Sequence, residues 1–509
     1  MTIYNFNLLV GYAPSGVDYA QGYRAKLLRQ LKQEAKFIFT EVPKWPYVKM
    51  YTQNTGILPE EIDSVHFSFL DDVSYIPSLS LKEVEAHYPQ VEKLECIQRT
   101  EKEVHYLGNH QLLMAVLFSE ADSHCVDSVS FFAEGKLLRR DYFTNRKLYS
   151  EYFYPVGDDG YVYAKLYRRV FYSSKGKMVY EELIGQNGSE YVFKNNSERF
   201  SKHELIEKFL KGLSLSSEDW LFIDRSTEFD FVQPVFKNKG NAKIAAFLHS
   251  DHYFEPNYDS HYLYFNYEYY YLLRQMKEID CFITSTQLQK ESLQAYIQAK
   301  FDYQARVEVI PVGSASLKDN PETSRKPYSL MTASRLDPRK RINWLIKAVV
   351  LAKKQVPQLQ FDIYGMGGLR GELSELIKEL NADSYIHMRG HQLLEEIYPQ
   401  YQVYLSASIW ETFGLTLLEA ASYGLSLIGL NVHYGNQLFI EDGKNGYLVD
   451  FDHNADEEVV IHAMAEKIIT YYSLTFEEEA AFHQHSRQLS HRFTEEKLLA
   501  EWQEFFEKF

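Results

Sequence analysis

Cysteine is scarce in this chain: Cys96, Cys125 and Cys281 are scattered over 509 residues, form no C-x-x-C pair and leave an odd thiol over. That fits neither a disulfide framework nor a zinc site, and points to free thiols in a reducing cytoplasm. Long apolar runs are missing too. The longest, Leu112 to Phe118, falls far short of the roughly 18–20 residues that span a bilayer, so any membrane contact is expected to be peripheral. The opening Met1-Thr-Ile-Tyr-Asn-Phe-Asn7 lacks the basic start and the small-residue cleavage site of an export signal, and reads as a strand. Positive charge is in deficit: 54 Lys and Arg against 70 Asp and Glu leave a net charge of −16, which argues against a nucleic-acid partner. With 25 glycines and 15 prolines the chain is neither collagenous nor of low complexity.

What is present is an ordinary globular composition, 45% hydrophobic and 24% charged, rich in aromatics at 40 Tyr, 33 Phe and 5 Trp. The length suits about three compact units at roughly 100–200 residues each. A first strand ending near Val10 runs through Gly11-Tyr-Ala-Pro-Ser-Gly16 into an amphipathic helix with Tyr19, Tyr23, Leu27, Leu28 and Leu31 at helical spacing. A second strand, Phe37–Val42, completes a β-α-β rhythm. Between about residues 104 and 194 the rhythm changes. Runs Val104–Leu107, Leu112–Phe118, Val126–Ala133, Tyr161–Tyr172 and Lys177–Ile184 are divided by turn signals at Gly108-Asn109, Glu134-Gly135, Asp158–Gly160, Lys175-Gly176 and Asn187-Gly188, as in antiparallel hairpins.

Helix resumes at the capping-box spacing Ser201-Lys-His-Glu204. Buried parallel strands follow at Trp220–Asp224, Lys243–Leu248, Cys281–Thr284 and Val307–Pro311. Tyr258–Tyr271, with its many tyrosines, reads as a packed aromatic helix face, the alternative being an acceptor or subunit surface. After a polar linker, Lys318–Pro327, strands Tyr328–Ala333, Leu359–Tyr364, Tyr385–Met388, Val403–Ala407, Ser426–Leu430 and Gly446–Val449 alternate with helices, and Thr494–Phe509 closes the chain as an amphipathic helix. The fold class is α/β. Its expected parts are a Rossmann-like N-terminal domain in two pieces, 1–78 and 201–313, a β-meander domain inserted at 79–200, a second Rossmann-like domain at 314–489, and a helix at 490–509 that crosses back to the N-terminal domain.

Two constellations carry chemistry. In Ser408-Ile-Trp-Glu411-Thr-Phe413-Gly414-Leu415-Thr416-Leu-Leu-Glu419, at a strand end and helix start, Gly414 and the next amides offer unpaired N–H groups and a positive dipole end to a diphosphate. Glu411 and Glu419 can accept hydroxyls of a sugar and of a ribose. In Ser334-Arg335-Leu-Asp-Pro-Arg-Lys340 two cations converge where they can neutralise a diphosphate leaving group, with no Asp-x-Asp pair poised for a metal. His249-Ser-Asp-His252, with His261 nearby, has no Cys or further carboxylate at ligand spacing, so no metal is expected there.

The pair Arg335/Lys340, Asp362-Ile-Tyr-Gly365-Met-Gly367 and Glu411-x7-Glu419 resemble the retaining GT-B glycosyltransferases of the sugar-nucleotide-dependent family four. The Gly11–Gly16 loop, the hairpin insert, His249–His252 and Tyr434-Gly-Asn436 narrow the resemblance to catalytic subunits that put the first sugar on bacterial serine-rich-repeat adhesins. It implies transfer of N-acetylglucosamine from UDP-GlcNAc to Ser/Thr in the cytoplasm before export, without metal or other cofactor. It also implies a homologous, non-catalytic stabilising subunit, a homo- or hetero-tetramer, and a position on the cytoplasmic face of the membrane.

Carried over by position, Gly16 would let backbone approach the donor phosphate, Arg335 and Lys340 would clamp the diphosphate, and His249 would sit near the donor sugar. Glu411 would bind the transferring sugar and Glu419 the ribose. Gly365, Phe413, Gly414, Leu415 and Thr416 would line the donor site, and backbone near Arg389-Gly390-His391 would meet uracil. The usual Pro-Glu pair before Ile-Glu-Asp-Gly is replaced here by Gln437-Leu438, which bears on sugar specificity. Three alternatives stand beside this reading: UDP-glucose as donor, a wall teichoic acid glycosyltransferase, and a non-catalytic adhesin-binding subunit.

Overall fold

The structure is a computed structural model that describes residues 1–9, 15–108, 112–119, 122–157, 162–195, 197–225, 229–259, 262–315 and 325–509. It divides into two compact units, Met1–Ala246 with Tyr271–Asp280, and Phe247–Tyr270 with Cys281–Phe509.

In the first unit, parallel strands Ile62–Ser64, Glu34–Phe39, Thr2–Asn7 and Trp220–Ile223 lie side by side in that order, and residues 243–246 of strand Lys243–Phe247 pair with the last of them. The first strand ends at Asn7 rather than near Val10, and most of the Gly11–Gly16 loop lies outside the described residues. The expected helix follows as Gly16–Gln30, N-capped by Ser15. A buried ion pair ties this helix to the strand ends: Arg24 Nη2 lies 2.5 Å from Asp224 Oδ2, and Arg24 Nε donates to Asn5 Oδ1 at 3.0 Å. A buried guanidinium is tolerated only with such partners.

The hairpin region is a ten-stranded antiparallel sheet from Glu95–Arg99 to Arg199–Ser201, its strands adjacent in chain order. Strands Lys136–Phe143, Lys147–Val156 and Gly188–Phe193 join those expected from the turn signals. Turn residues 109 and 158–160 lie outside the described residues. The buried face is aromatic: Tyr149 stacks on Phe171 at 5.7 Å, Phe171 on Tyr180 at 4.3 Å and Tyr180 on Phe193 at 4.9 Å. At the far end of the hairpin Lys147–Val156/Tyr163–Tyr172, by contrast, Tyr154, Val162, Tyr163 and Tyr167 are exposed. The Ser201 capping box forms as spaced, Ser201 N donating to Glu204 Oε2 at 2.8 Å, and starts helix Lys202–Gly212.

In the second unit, six parallel strands run in the order Ile386–Gly390, Gln360–Tyr364, Ser329–Ala333, Val403–Ser406, Ser426–Leu430 and Gly446–Val449. Helices Ile342–Lys353 and Glu457–Tyr471 cover one core, burying Trp344, Leu345, Ile461 and Ile468. The helix expected over Tyr258–Tyr271 is not formed. Its place is taken by hairpin Tyr253–Asp259/Tyr262–Phe265, a 3-10 turn Tyr267–Tyr269 and a short helix Tyr270–Arg274. β-Propensity of consecutive tyrosines outweighs their helical spacing there. Of the linker, 316–324 lie outside the described residues, but Arg325 is no solvated spacer: its Nη2 donates to the carbonyls of Tyr423 at 2.7 Å and Gly424 at 3.2 Å. The final helix, Glu495–Lys508, sets Trp502 6.4 Å from Phe247 and Lys508 3.5 Å from Glu308.

Candidate donor-nucleotide site

Strand Val403–Ser406 ends in a turn that leads to helix Leu415–Ser422, capped by Gly414 at φ 86°. Glycine takes that left-handed conformation without the strain a side chain brings, and the first helical amides that follow it have no partner within the helix. The turn is locked by an isolated parallel bridge between Glu411 and Tyr434: Tyr434 N donates to Glu411 O at 2.8 Å and Gly435 N to the same oxygen at 2.7 Å. A Cβ on Gly435 would collide with the carbonyl of Phe413, so a glycine is required for that approach. Tyr434 itself is buried, and burial with the Asp251 charge raises its phenol pKa.

Lys340 reaches this turn from the 3-10 element Pro338–Lys340, whose N-cap is Asp337. Its Nζ donates to Glu411 Oε2 at 2.7 Å and to Ser408 Oγ at 3.1 Å, while Ser408 Oγ donates to Trp410 O at 2.8 Å. Thus one ammonium and one carboxylate, both partly accessible, stand at the mouth of a helix N-terminus. Arg335 lies earlier on the same loop and is turned more to solvent, its Nη2 3.8 Å from Asp337 Oδ2. The loop carrying it is seated on Gly365 and Gly367. Gly365 has φ 129°, and a Cβ there would strike the Ser334 carbonyl, while one on Gly367 would strike that of Leu336.

Glu419, on the helix, accepts from Tyr398 OH at 2.8 Å through Oε2. Thr416 Oγ1 lies 2.8 Å from Tyr404 OH, which also reaches Ala333 O at 2.9 Å. Phe413 is packed away against Phe439 and Phe493 at 5.3 and 5.7 Å, so its ring belongs to the core and only its backbone borders the site. At the end of strand Ile386–Gly390, Arg389 Nε donates to Asp362 Oδ1 at 2.8 Å, and Gly390 O accepts from Gly365 N at 2.8 Å. His391 is exposed next to them.

The structure therefore gathers Lys340, Ser408, Glu411 and Gly414, with Glu419 further along the same helix. Gly16 opens a helix in the first unit. His249 follows strand Lys243–Phe247, where its backbone N–H donates to Tyr269 OH at 3.0 Å and its ring stacks on Phe247 at 5.9 Å. His252 is buried, which pushes its pKa down to about 4. His261 lies outside the described residues. Sequence reasoning missed Ser408, Tyr398, Tyr401 and Tyr404. Their signal is a single hydroxyl near a carboxylate or ammonium that is remote in sequence.

Two parallel α/β sheets, an inserted antiparallel sheet and a carboxylate-lined, glycine-capped helix end define a glycosyltransferase of the GT-B fold. Residues 315–488 match the family described as "Glycosyl transferases group 1", and residues 96–195 match "GtfA extended beta-sheet domain". A UDP-N-acetylglucosamine–peptide N-acetylglucosaminyltransferase GtfA subunit of Streptococcus parasanguinis is 38% identical over 510 residues, covering 100% of this chain and 99% of that protein. Among solved structures, the pneumococcal O-GlcNAc transferase GtfA in complex with UDP and GlcNAc superposes with a TM-score of 0.92 at 37% identity, covering 100% of this chain and 99% of the other. A GtfA/B complex matches with a TM-score of 0.85 at 38% identity, again over 100% and 99%. The chain belongs to the family of GtfA subunits of UDP-N-acetylglucosamine–peptide N-acetylglucosaminyltransferases.

Proposed function

We propose that this protein transfers N-acetylglucosamine from UDP-GlcNAc, with retention of configuration, to Ser and Thr hydroxyls of a serine-rich-repeat adhesin before export. The observation that carries the reading is the Lys340–Glu411 pair at the Gly414-capped helix N-terminus. It sets a cation and oriented amides where a leaving diphosphate gains charge, beside a carboxylate suited to sugar hydroxyls. Arg335 adds a second cation from the same loop, and Glu419 is the ribose partner.

In the step we infer, the acceptor oxygen bonds to the anomeric carbon on the face from which the β-phosphate oxygen departs. The hydroxyl proton passes to that departing phosphate, and Lys340, Arg335 and the helix amides take up its charge. Side-chain cations do electrostatically what a divalent metal does elsewhere, so no metal is needed in this account.

No described helix is long and apolar enough to cross a membrane. The protein is assigned to the cytoplasm, with any membrane association peripheral, because three scattered cysteines suit a reducing compartment. A homologous subunit is its proposed partner, as in the GtfA/B complex. The exposed Tyr154, Val162, Tyr163 and Tyr167 at one end of the long hairpin are the docking residues, since tyrosines anchor interfaces at low entropic cost. The reading is tested by assaying UDP release with a panel of UDP-sugars, with and without a serine-rich peptide and the partner subunit. UDP-GlcNAc with peptide and partner should give the fastest release, and peptide-independent rates with every donor would refute it.

A further inference from the structure

We propose that the turn Tyr398-Pro-Gln-Tyr401 is a brace for the nucleoside half of the donor site: Tyr398 fixes the Glu419 carboxylate, and Tyr401 fixes the Arg389 guanidinium through Asp362. The inference rests on reading Glu419 as the ribose partner and Arg389–His391 as the uracil segment.

Tyr398 opens the 3-10 turn Tyr398–Gln400 and Tyr401 caps its end, and both are almost wholly buried, at 1% and 2% exposure. Tyr398 OH donates to Glu419 Oε2 at 2.8 Å. Tyr401 OH donates to Asp362 Oδ2, while Asp362 Oδ1 accepts from Arg389 Nε at 2.8 Å. Tyr364 OH stands 2.8 Å from Tyr401 OH and completes the relay. One short turn thus reaches two charged groups that sit on different elements of the second unit. Phenylalanine would fill the same space; a buried hydroxyl is costly unless partnered, and here each partner is a carboxylate tied to the site.

The turn is held from behind. Tyr398 stacks on Tyr423 with ring centres 5.6 Å apart and planes 19° apart. Arg325 donates to the carbonyls of both Tyr401 and Tyr423, and Lys326 N donates to Gln400 O at 2.9 Å. The site groups need such support, because Arg389 keeps nearly half of its side chain in solvent and Glu419 is only half-buried. A charged-group hydrogen bond that pre-orders them lowers the entropy lost when nucleotide binds. Tyr398 and Tyr401 are therefore positioning residues, acting through Glu419 and through Asp362 with Arg389.

Titration calorimetry on the full chain with UDP, 2′,3′-dideoxy-UDP and ribose 5-diphosphate tests this. Tyr398→Phe should weaken UDP binding roughly 5- to 20-fold and leave binding of the dideoxy nucleotide unchanged, since a brace acting through Glu419 matters only to ribose hydroxyls. Tyr401→Phe should weaken UDP similarly yet leave the base-less diphosphate unaffected. Asp362→Asn, which changes the link between Tyr401 and Arg389 and leaves both tyrosines in place, should copy Tyr401→Phe. In turnover, KM for the sugar nucleotide should rise while kcat stays within about twofold. Equal loss for all three probes would mean general loosening and would overturn the proposal, as would unchanged UDP affinity in both tyrosine variants. A wild-type protein that binds UDP and its dideoxy analogue alike would instead overturn the ribose reading of Glu419.

Discussion

Lys340 Nζ and Glu411 Oε2 stand 2.7 Å apart, with the ammonium also bonded to Ser408, and this pair joins the two motifs that lie 71 residues apart in sequence. Because both side chains are largely withdrawn from solvent, at 24% and 18% exposure, each is poised by the other. Removing either leaves a partly buried charge without its partner. In the proposed function one member of the pair meets the developing phosphate charge and the other the sugar.

Lys340→Ala and Glu411→Gln should each lower turnover by roughly 10²-fold or more, because both act where charge changes in the transition state. The folded state should persist, as read by circular dichroism and melting temperature. Near-normal kcat in either variant would sink the proposed step.

Gly365→Ala should lower stability by about 2 kcal/mol or more and weaken UDP binding, since the new Cβ meets the Ser334 carbonyl in a backbone conformation at φ 129°. The loop it would displace carries Arg335. Chemical denaturation alongside nucleotide titration checks both effects; an unperturbed variant would show that this loop seat is not needed.

Much of this was legible in the sequence. Glycine and capping signals located the helix ends at Ser201 and Gly414, and the buried runs Cys281–Thr284, Ser426–Leu430 and Gly446–Val449 are strands as written. Local patterns carry that information. The Tyr258–Tyr271 segment misled because alternation and helical spacing both place tyrosines acceptably, and the pairing that decides between them is not local. Likewise Glu411 and Lys340 were each visible, but that they pair with one another, and that Tyr398 and Tyr401 serve Glu419 and Asp362, depends on contacts between distant segments.

Asp127 provides a pH signature of the antiparallel sheet. It is buried beside Tyr142, Tyr149 and Leu148, one carboxyl oxygen has no hydrogen-bond partner among the described residues, and desolvation raises its pKa to about 7 against the partial relief of a Ser128 hydrogen bond and of the Arg140 and Lys44 charges. With the folded pKa above the unfolded 3.8, the folded protein holds the proton between these values, so stability should fall as pH rises from about 4 to 7. The span is at most about 4 kcal/mol. Asp127→Asn should flatten this part of the melting-temperature profile and gain on wild type at pH 8; an unchanged profile would contradict the assignment.

Replacing Tyr163 and Tyr167 by Asp should abolish co-purification with the homologous subunit while UDP affinity stays within a few-fold of wild type, because both side chains are exposed and lie apart in sequence from every donor motif. A surviving complex with lost nucleotide binding would reverse the two roles. EDTA should leave transfer unchanged; abolition by chelator with rescue by a divalent ion would contradict the side-chain clamp.

Incubating the protein and its partner subunit with UDP-GlcNAc and a serine-rich peptide, then reading peptide mass by mass spectrometry and anomeric configuration by NMR, tests the proposed transfer itself. The expected product carries a single N-acetylhexosamine per modified Ser or Thr, α-linked as in the donor, formed without added metal and lost in Glu411→Gln. A β-linked product, transfer of glucose in preference to N-acetylglucosamine, or undiminished transfer by Glu411→Gln would contradict it.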